Sequence, residues 1–295
     1  MRILPVAVLL CCFLPVFAGT VDFVRPVRTG DRFECNVLSV QSVQYELLLP
    51  GSEAPVVKTV RAQVGFQGYL TVTRVNAVGN PTHLMLRADR FSGSVDGKPV
   101  KWDFPAGAWI DADLSSAAGV FNISGKPLPA DLQNLFRILF PPASESTLAE
   151  LTGRSRRLPV PGQGWAADLT SFRRELAARK IPIAPSSLIG TVVYFGPETI
   201  GRSNCLRFGL QIETKGLPDY DCRLKYTFSL APSGPPVRLV RDATEVIFRI
   251  LRSGQPFAAG TQVRQINKDH TERTLVPVQV IPPVKVKRAG DSLLR

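Results

Sequence analysis

Across residues 220–230 the side chains alternate, with Cys222, Leu224, Tyr226, Phe228 and Leu230 on one side and Arg223, Lys225, Thr227 and Ser229 on the other. A period of two excludes a helix and requires an extended strand with one buried and one wet face. Similar signatures recur at residues 32–49, 56–64, 69–78, 83–94, 190–195, 205–214 and 237–251. Turn residues separate them. Ala77-Val78-Gly79-Asn80-Pro81 is one such turn, and Asp96-Gly97 is expected to lead into a short strand over residues 100–104.

The character changes near Gly125. Pro127, Pro129 and Asp131 form a helix start, and Leu132, Leu135, Phe136 and Leu139 fall on one stripe, so the spacing predicts a helix over 128–139. Pro141-Pro142 ends it. Two further helices are expected at about 144–151 and 169–180. Between them Arg154, Arg156 and Arg157, followed by Pro159, Pro161, Gly162 and Gly164, read as an exposed basic linker over 154–164. The resulting organisation is a signal peptide at 1–18, an N-terminal β-meander over 19–153, the linker, a second strand-rich half over 165–282 and a flexible basic tail over 283–295. Gly-Lys-Pro occurs at Gly97 and again at Gly125, but the flanks differ and no internal repeat follows. The fold class is mainly β with a few helices (α+β): curved antiparallel sheets or a half-barrel, with helices between two strand-rich halves.

The first eighteen residues carry an address. Arg2, an apolar run from Ile3 to Phe17, and small Val16 and Ala18 are the parts of a secretory signal, with cleavage expected after Ala18. Cys11 and Cys12 open a lipoprotein reading, against which stands what precedes them, Leu10 or Cys11 where a small residue is the rule, and an uncleaved anchor is a third. Removing residues 1–18 takes Arg2 from the 36 basic residues and none of the 24 acidic ones, leaving 277 residues at a net charge of +11. Such a basic exported chain is drawn to anionic lipid, acidic polysaccharide or nucleic acid, although the charge also serves solubility and no specific nucleic-acid motif is present.

Residue supply excludes several chemistries. Only His83 and His270 are available, neither with a neighbour at zinc-like spacing, and His270 lies in a polar stretch, Asn267 to Glu272, that reads as a turn. The chain lacks Gly-x-Ser-x-Gly, Ser-x-x-Lys, His-Glu-x-x-His and Gly-x-x-x-x-Gly-Lys. No cofactor is expected. Asp111 with Asp113, and Asp219 with Asp221, are spaced to share a strand face, where paired carboxylates could act as acid and base or hold a hard cation; a solvated edge is the competing reading. Trp102 and Phe104 are expected in a core, which leaves Trp109 as the aromatic candidate for ligand contact.

Cys35, Cys205 and Cys222 make an odd set. The obvious pair is Cys205 with Cys222. A hairpin centred on Leu217 would place Cys222 opposite Ile212 and Cys205 opposite Ser229, too far apart to bridge. Either a bulge breaks that register, or Cys35 is a partner, or all three are reduced.

The order of signal peptide, antiparallel meander, central helices and second meander resembles that of exported proteins of unknown function with a lipoprotein-carrier-like half-barrel. The resemblance covers most of residues 30–251 in pattern. It implies a sheet that wraps helices and shelters an apolar cavity. Three functions are compatible: a periplasmic or extracellular non-enzymatic protein that binds an amphiphilic or anionic envelope component such as a lipid or polymer; a structural or assembly factor that holds another envelope protein; and a carboxylate-dependent hydrolase of an envelope polymer.

Overall fold

In the computed structural model the described residues are 20–23, 27–77, 79–116, 118–141, 148–153, 155–181, 183–217, 219–251 and 259–282. The expected signal peptide and basic tail lie outside them. The elements are β1 (Thr20–Asp22), β2 (Arg32–Leu48), β3 (Val56–Val75), β4 (Pro81–Val95), β5 (Lys98–Pro99), β6 (Ala108–Asp113), β7 (Val120–Ile123), β8 (Lys126–Pro127), α1 (Ala130–Leu139), α2 (Leu148–Thr152), β9 (Ser155–Arg157), β10 (Gly164–Ala166), α3 (Thr170–Ala178), β11 (Leu188–Ile200), β12 (Ser203–Thr214), β13 (Tyr220–Leu230), β14 (Arg238–Ile250) and β15 (Gln262–Pro277). The fold is mainly β with few helices, and among the described residues no sheet closes into a barrel.

Thirteen strands form one open sheet in the order β10-β11-β12-β13-β14-β15-β2-β3-β4-β6-β7-β8, with β5 paired to β4. Every pairing is antiparallel. Strands β2 to β8, before the basic 154–164 stretch, and β10 to β15, from its end onward, thus belong to the same sheet. Part of that stretch is itself paired: Ser155–Arg157 forms a two-stranded ribbon with Thr20–Asp22, and the Arg156 guanidinium lies 4.9 Å from the centre of the Trp165 ring.

Directly opposed residues of antiparallel strands share a face, so the pairings assign every side chain to one of two faces. One face carries both cores. The first is built on β2 to β7, where Phe33, Cys35, Val37, Phe66, Leu86 and Ile110 meet Leu132, Leu135, Phe136 and Leu139 of α1. Gln133 of α1 pairs with both main-chain groups of Phe121, donating to the carbonyl at 2.6 Å and accepting from the N–H at 3.0 Å. The second core is built on β11 to β13, where Phe208, Leu210 and Phe228 meet Phe23, Leu151, Trp165 and Leu176. Glycine lets the cover approach in each. A Cβ at Gly93 would overlap Leu135 of α1, and one at Gly190 would fall 2.8 Å from Leu169 Cδ2.

Three local expectations change. Residues 56–64 and 69–78 are parts of one long strand, β3, whose register shifts at a bulge between Gln67 and Gly68. After Asp96 and Gly97, both at positive φ (50° and 76°) as this kind of hairpin turn requires, only Lys98 and Pro99 pair back, and residues 100–104 leave the sheet. The same device follows Ser124 and Gly125 (51° and 75°), where Lys126 and Pro127 form β8. The twice-used Gly-Lys-Pro string is therefore a shared hairpin ending. The largest change concerns Asn267 to Glu272, which is the middle of β15 and no turn. β15 lies between the two cores, so most of it has no apolar layer against either face and its sequence is correspondingly polar.

Substituting Gly93 by Val places two methyl groups against Leu135. We expect a loss of about 1–3 kcal/mol, the usual penalty for overpacking, read as a lower urea midpoint at unchanged slope.

Candidate functional site

On the face without helices, two rows of opposed residues cross β15, β2, β3 and β4: Thr274, Asn36, Gln67 and Arg90, then Glu272, Leu38, Gly65 and Ser92. Gly65 leaves a depression in the second row. A Cβ there would stand 3.0 Å from Ser92 Oγ and 3.9 Å from Leu38 Cδ1. Because β6 pairs with β4 only over His83 to Ala88, the edge of β4 beyond is open to the segment that leaves β5. Trp102, Phe104 and Ala106 of that segment form a wall, and together these residues line an open pocket of about 740 Å³. That is within the range of small-molecule sites. The wall is anchored, since Trp102 packs 4.9 Å from both Phe91 and Phe104, and Phe91 stacks on Phe136 of α1 at 5.1 Å between ring centroids.

Three charged residues line the pocket: Asp89, Arg90 and Glu272. Both carboxylates are occupied. Arg87 donates to the two oxygens of Asp89 at 3.0 Å each, and Arg238 donates to Glu272 at 2.7 and 3.1 Å. Exposed Arg90 has no acceptor among the described residues, so its guanidinium is the unbalanced charge. Arg87 is buried, 5% exposed, with its guanidinium 4.4 Å from the centre of the Tyr69 ring and a further hydrogen bond to the carbonyl of Pro282. The last described residue is thus fixed beside the pocket. Burial first, then the charges of Glu34 and Asp89, pushes the Tyr69 phenol up, so it stays neutral.

The residues singled out in the sequence are dispersed. Trp109 is on β6, opposite Arg87 and 43% exposed, one strand beyond the pocket, whereas Trp102 and Phe104 form its wall. Asp111 and Asp113 do share a face, around His83. The ring of His83 spans Asp111 Oδ1 at 2.8 Å and Thr73 Oγ1 at 2.5 Å. Asp113 turns instead to Ser115, whose hydroxyl and N–H hold its carboxyl below the usual range. The Asp111–His83–Thr73 chain lies outside the pocket, and Thr73 Oγ1 also reaches the carbonyl of His83 at 3.0 Å. Asp219 precedes β13 while Asp221 lies on it, bonded to Thr214 Oγ1 at 3.1 Å; the second carboxylate pair is not assembled on one strand. His270 bonds Asp242 at 2.7 Å. No group of three or more metal-ligating side chains occurs among the described residues.

The candidate disulfide between Cys205 and Cys222 is not formed: Cys35, Cys205 and Cys222 are all free and buried. The β12–β13 register pairs Ile212 with Leu224 and Arg207 with Ser229, displaced by two residues from a hairpin centred on Leu217. The N–H of Cys222 bonds Thr214 Oγ1. Cys205 lies nine positions further along β12, about 30 Å away at roughly 3.3 Å per residue. Cys35 belongs to the other core. Burial pushes its thiol up to about 12 and raises those of Cys205 and Cys222 as well. A protein lacking residues 1–18 is therefore expected to leave an aromatic disulfide reagent unreacted at about pH 8 while native, and to titrate all of Cys35, Cys205 and Cys222 once denatured. Prompt labelling of the native state would contradict this.

Gly65 and Arg90 escaped the sequence reading. Their roles arise from pairing across strands, although an isolated glycine in a strand pattern is a known mark of close approach.

No family model matches the chain, and no curated protein is similar to it. Among solved structures, an outer membrane channel from Pseudomonas putida F1 is matched at 8% identity with a TM-score of 0.19, over 85% of this chain and 97% of that one. No helix among the described residues is long and apolar enough to cross a membrane.

Proposed function

We propose that this chain is an exported, non-enzymatic binding protein that holds an anionic amphiphile in the pocket between Trp102, Phe104 and the Leu38–Gly65 floor. The observation that supports this reading is the pocket's composition: about 740 Å³ with an apolar side formed by Leu38, Phe91, Trp102 and Phe104, a polar side formed by Asn36, Gln67, Ser92 and Thr274, and one uncompensated cation, Arg90. An apolar chain would lie against Trp102, Phe104 and Leu38, removing their surface from water. The anionic head group would meet Arg90, while Asp89 and Glu272, already held by arginines, would not repel it. Export rests on the residues of the amino-terminal signal, and the net positive charge of the mature chain favours approach to anionic envelope components.

The test is a native mass spectrum of the mature protein, purified gently from its own host, before and after organic extraction. An extractable mass is expected in the wild type. It should be absent from Gly65→Leu, in which a side chain fills the depression, and reduced about tenfold in occupancy in Arg90→Glu, a change of roughly 1.4 kcal/mol. Unfolding midpoints of the two variants verify that the sheet is intact. A bare polypeptide mass in the wild type, or a ligand retained by folded Gly65→Leu, would refute the reading.

A further inference from the structure

On the opposite face of the same strands, β15 presents Leu275, Arg273, Thr271, Asp269 and Asn267 toward the side that bears the helices. Arg273 is opposed by Val37 on β2 and by Leu239 on β14, the first in one core and the second packed against the other. It stands at the seam where they meet. Nearby arginines each have a carboxylate: Arg241 with Asp269, Arg179 with Glu245, Arg238 with Glu272 and Arg264 with Glu46. Arg273 has none. Its Nε is sealed from solvent without an acceptor, and its guanidinium makes no hydrogen bond or ion pair among the described residues.

An unpaired buried charge is among the costlier features a fold can carry, and a guanidinium cannot escape by losing its proton at neutral pH. Burial lowers the pKa of Arg273, which records the same desolvation. The neighbouring hydroxyls give no relief, because Ser39 and Thr271 are 2.9 Å apart and both turned toward Asp269. Although its Nε is sealed, the residue as a whole keeps some exposure.

We propose that Arg273 is the recognition group of an oxyanion site at this seam, taking a carboxylate or phosphate through the fork of its guanidinium. Such ligands match its planar donors two at a time. The site is separate from the pocket: Glu272 and Thr274, which flank Arg273 in sequence, line the pocket on the other side of the sheet.

Thermal unfolding of the wild type, Arg273→Met and Arg273→Lys is compared in phosphate, in acetate and in chloride at equal ionic strength. In the wild type the midpoint should rise by about 2–4 °C in phosphate or acetate relative to chloride. A response to phosphate alone assigns a phosphoryl ligand, and one to acetate alone a carboxylate. Arg273→Met should be no less stable in chloride, since an apolar isostere replaces an uncompensated charge, and should lose the response. Arg273→Lys should respond at most half as strongly, and this variant decides the matter should Arg273→Met not fold. A response kept in Arg90→Glu and lost in Arg273→Met places the anion at the seam, whereas one lost in Arg90→Glu and kept in Arg273→Met places it in the pocket and overturns the proposal. A wild type indifferent to both anions, or a folded Arg273 variant that responds in full, would overturn the proposal.

Discussion

The main-chain ladder between β15 and β2 is the interaction on which the rest of the molecule depends. It runs in unbroken register from Gln262 opposite Leu48 to Pro277 opposite Phe33. Its two strands come from opposite ends of the described chain, so closing it brings together segments with nearly the whole sequence between them. Such contacts form late and slowly in folding, because their loop entropy must be met before they contribute. Without this ladder, β2 and β15 would each present a long unpaired edge. With it, two modest cores become one continuous surface, and both the pocket on one face and the seam on the other exist only because β15 is in place.

Open sheets beyond about ten strands usually curl, flatten or divide into packed layers. Here the sheet remains continuous while its apolar layer divides. The central strands are held by polar side chains instead. Asp269 accepts from Ser39, Gln41, Thr271 and Arg241, and Glu245 accepts from Arg179, Tyr220 and Asn267. Exposed pairs such as Arg264 with Glu46 contribute no more than about 1 kcal/mol each. The strength of the join therefore lies in its backbone ladder, and the side chains chiefly fix the register.

This division explains what could be read from the sequence. Strands that border a core alternate visibly, as β13 does from Cys222 to Leu230, and α1 shows its stripe because Leu132, Leu135, Phe136 and Leu139 all face the sheet. β15 has little apolar cover, so the stretch around His270 carries no alternation and resembles a turn. The pocket was hidden for another reason. Trp102 and Phe104 have the composition of core residues, and their role as a wall follows from where β6 stops pairing with β4. Arg90, Gly65 and Arg273 gain meaning only from their cross-strand neighbours, which spacing along one strand does not contain.

The two ends of the sheet also differ from its middle. The strands grow short toward the rims, to the three residues of β10 on one side and the two of β8 on the other, and β8 is a lysine followed by a proline. A proline has no N–H to offer an incoming strand, and a lysine resists burial against one. A sheet this wide, ending in two long straight strands, would be a template for adding further chains without limit. Its tapered rims offer an incoming strand few groups to pair with, so the width that creates two usable faces is matched by narrow ends.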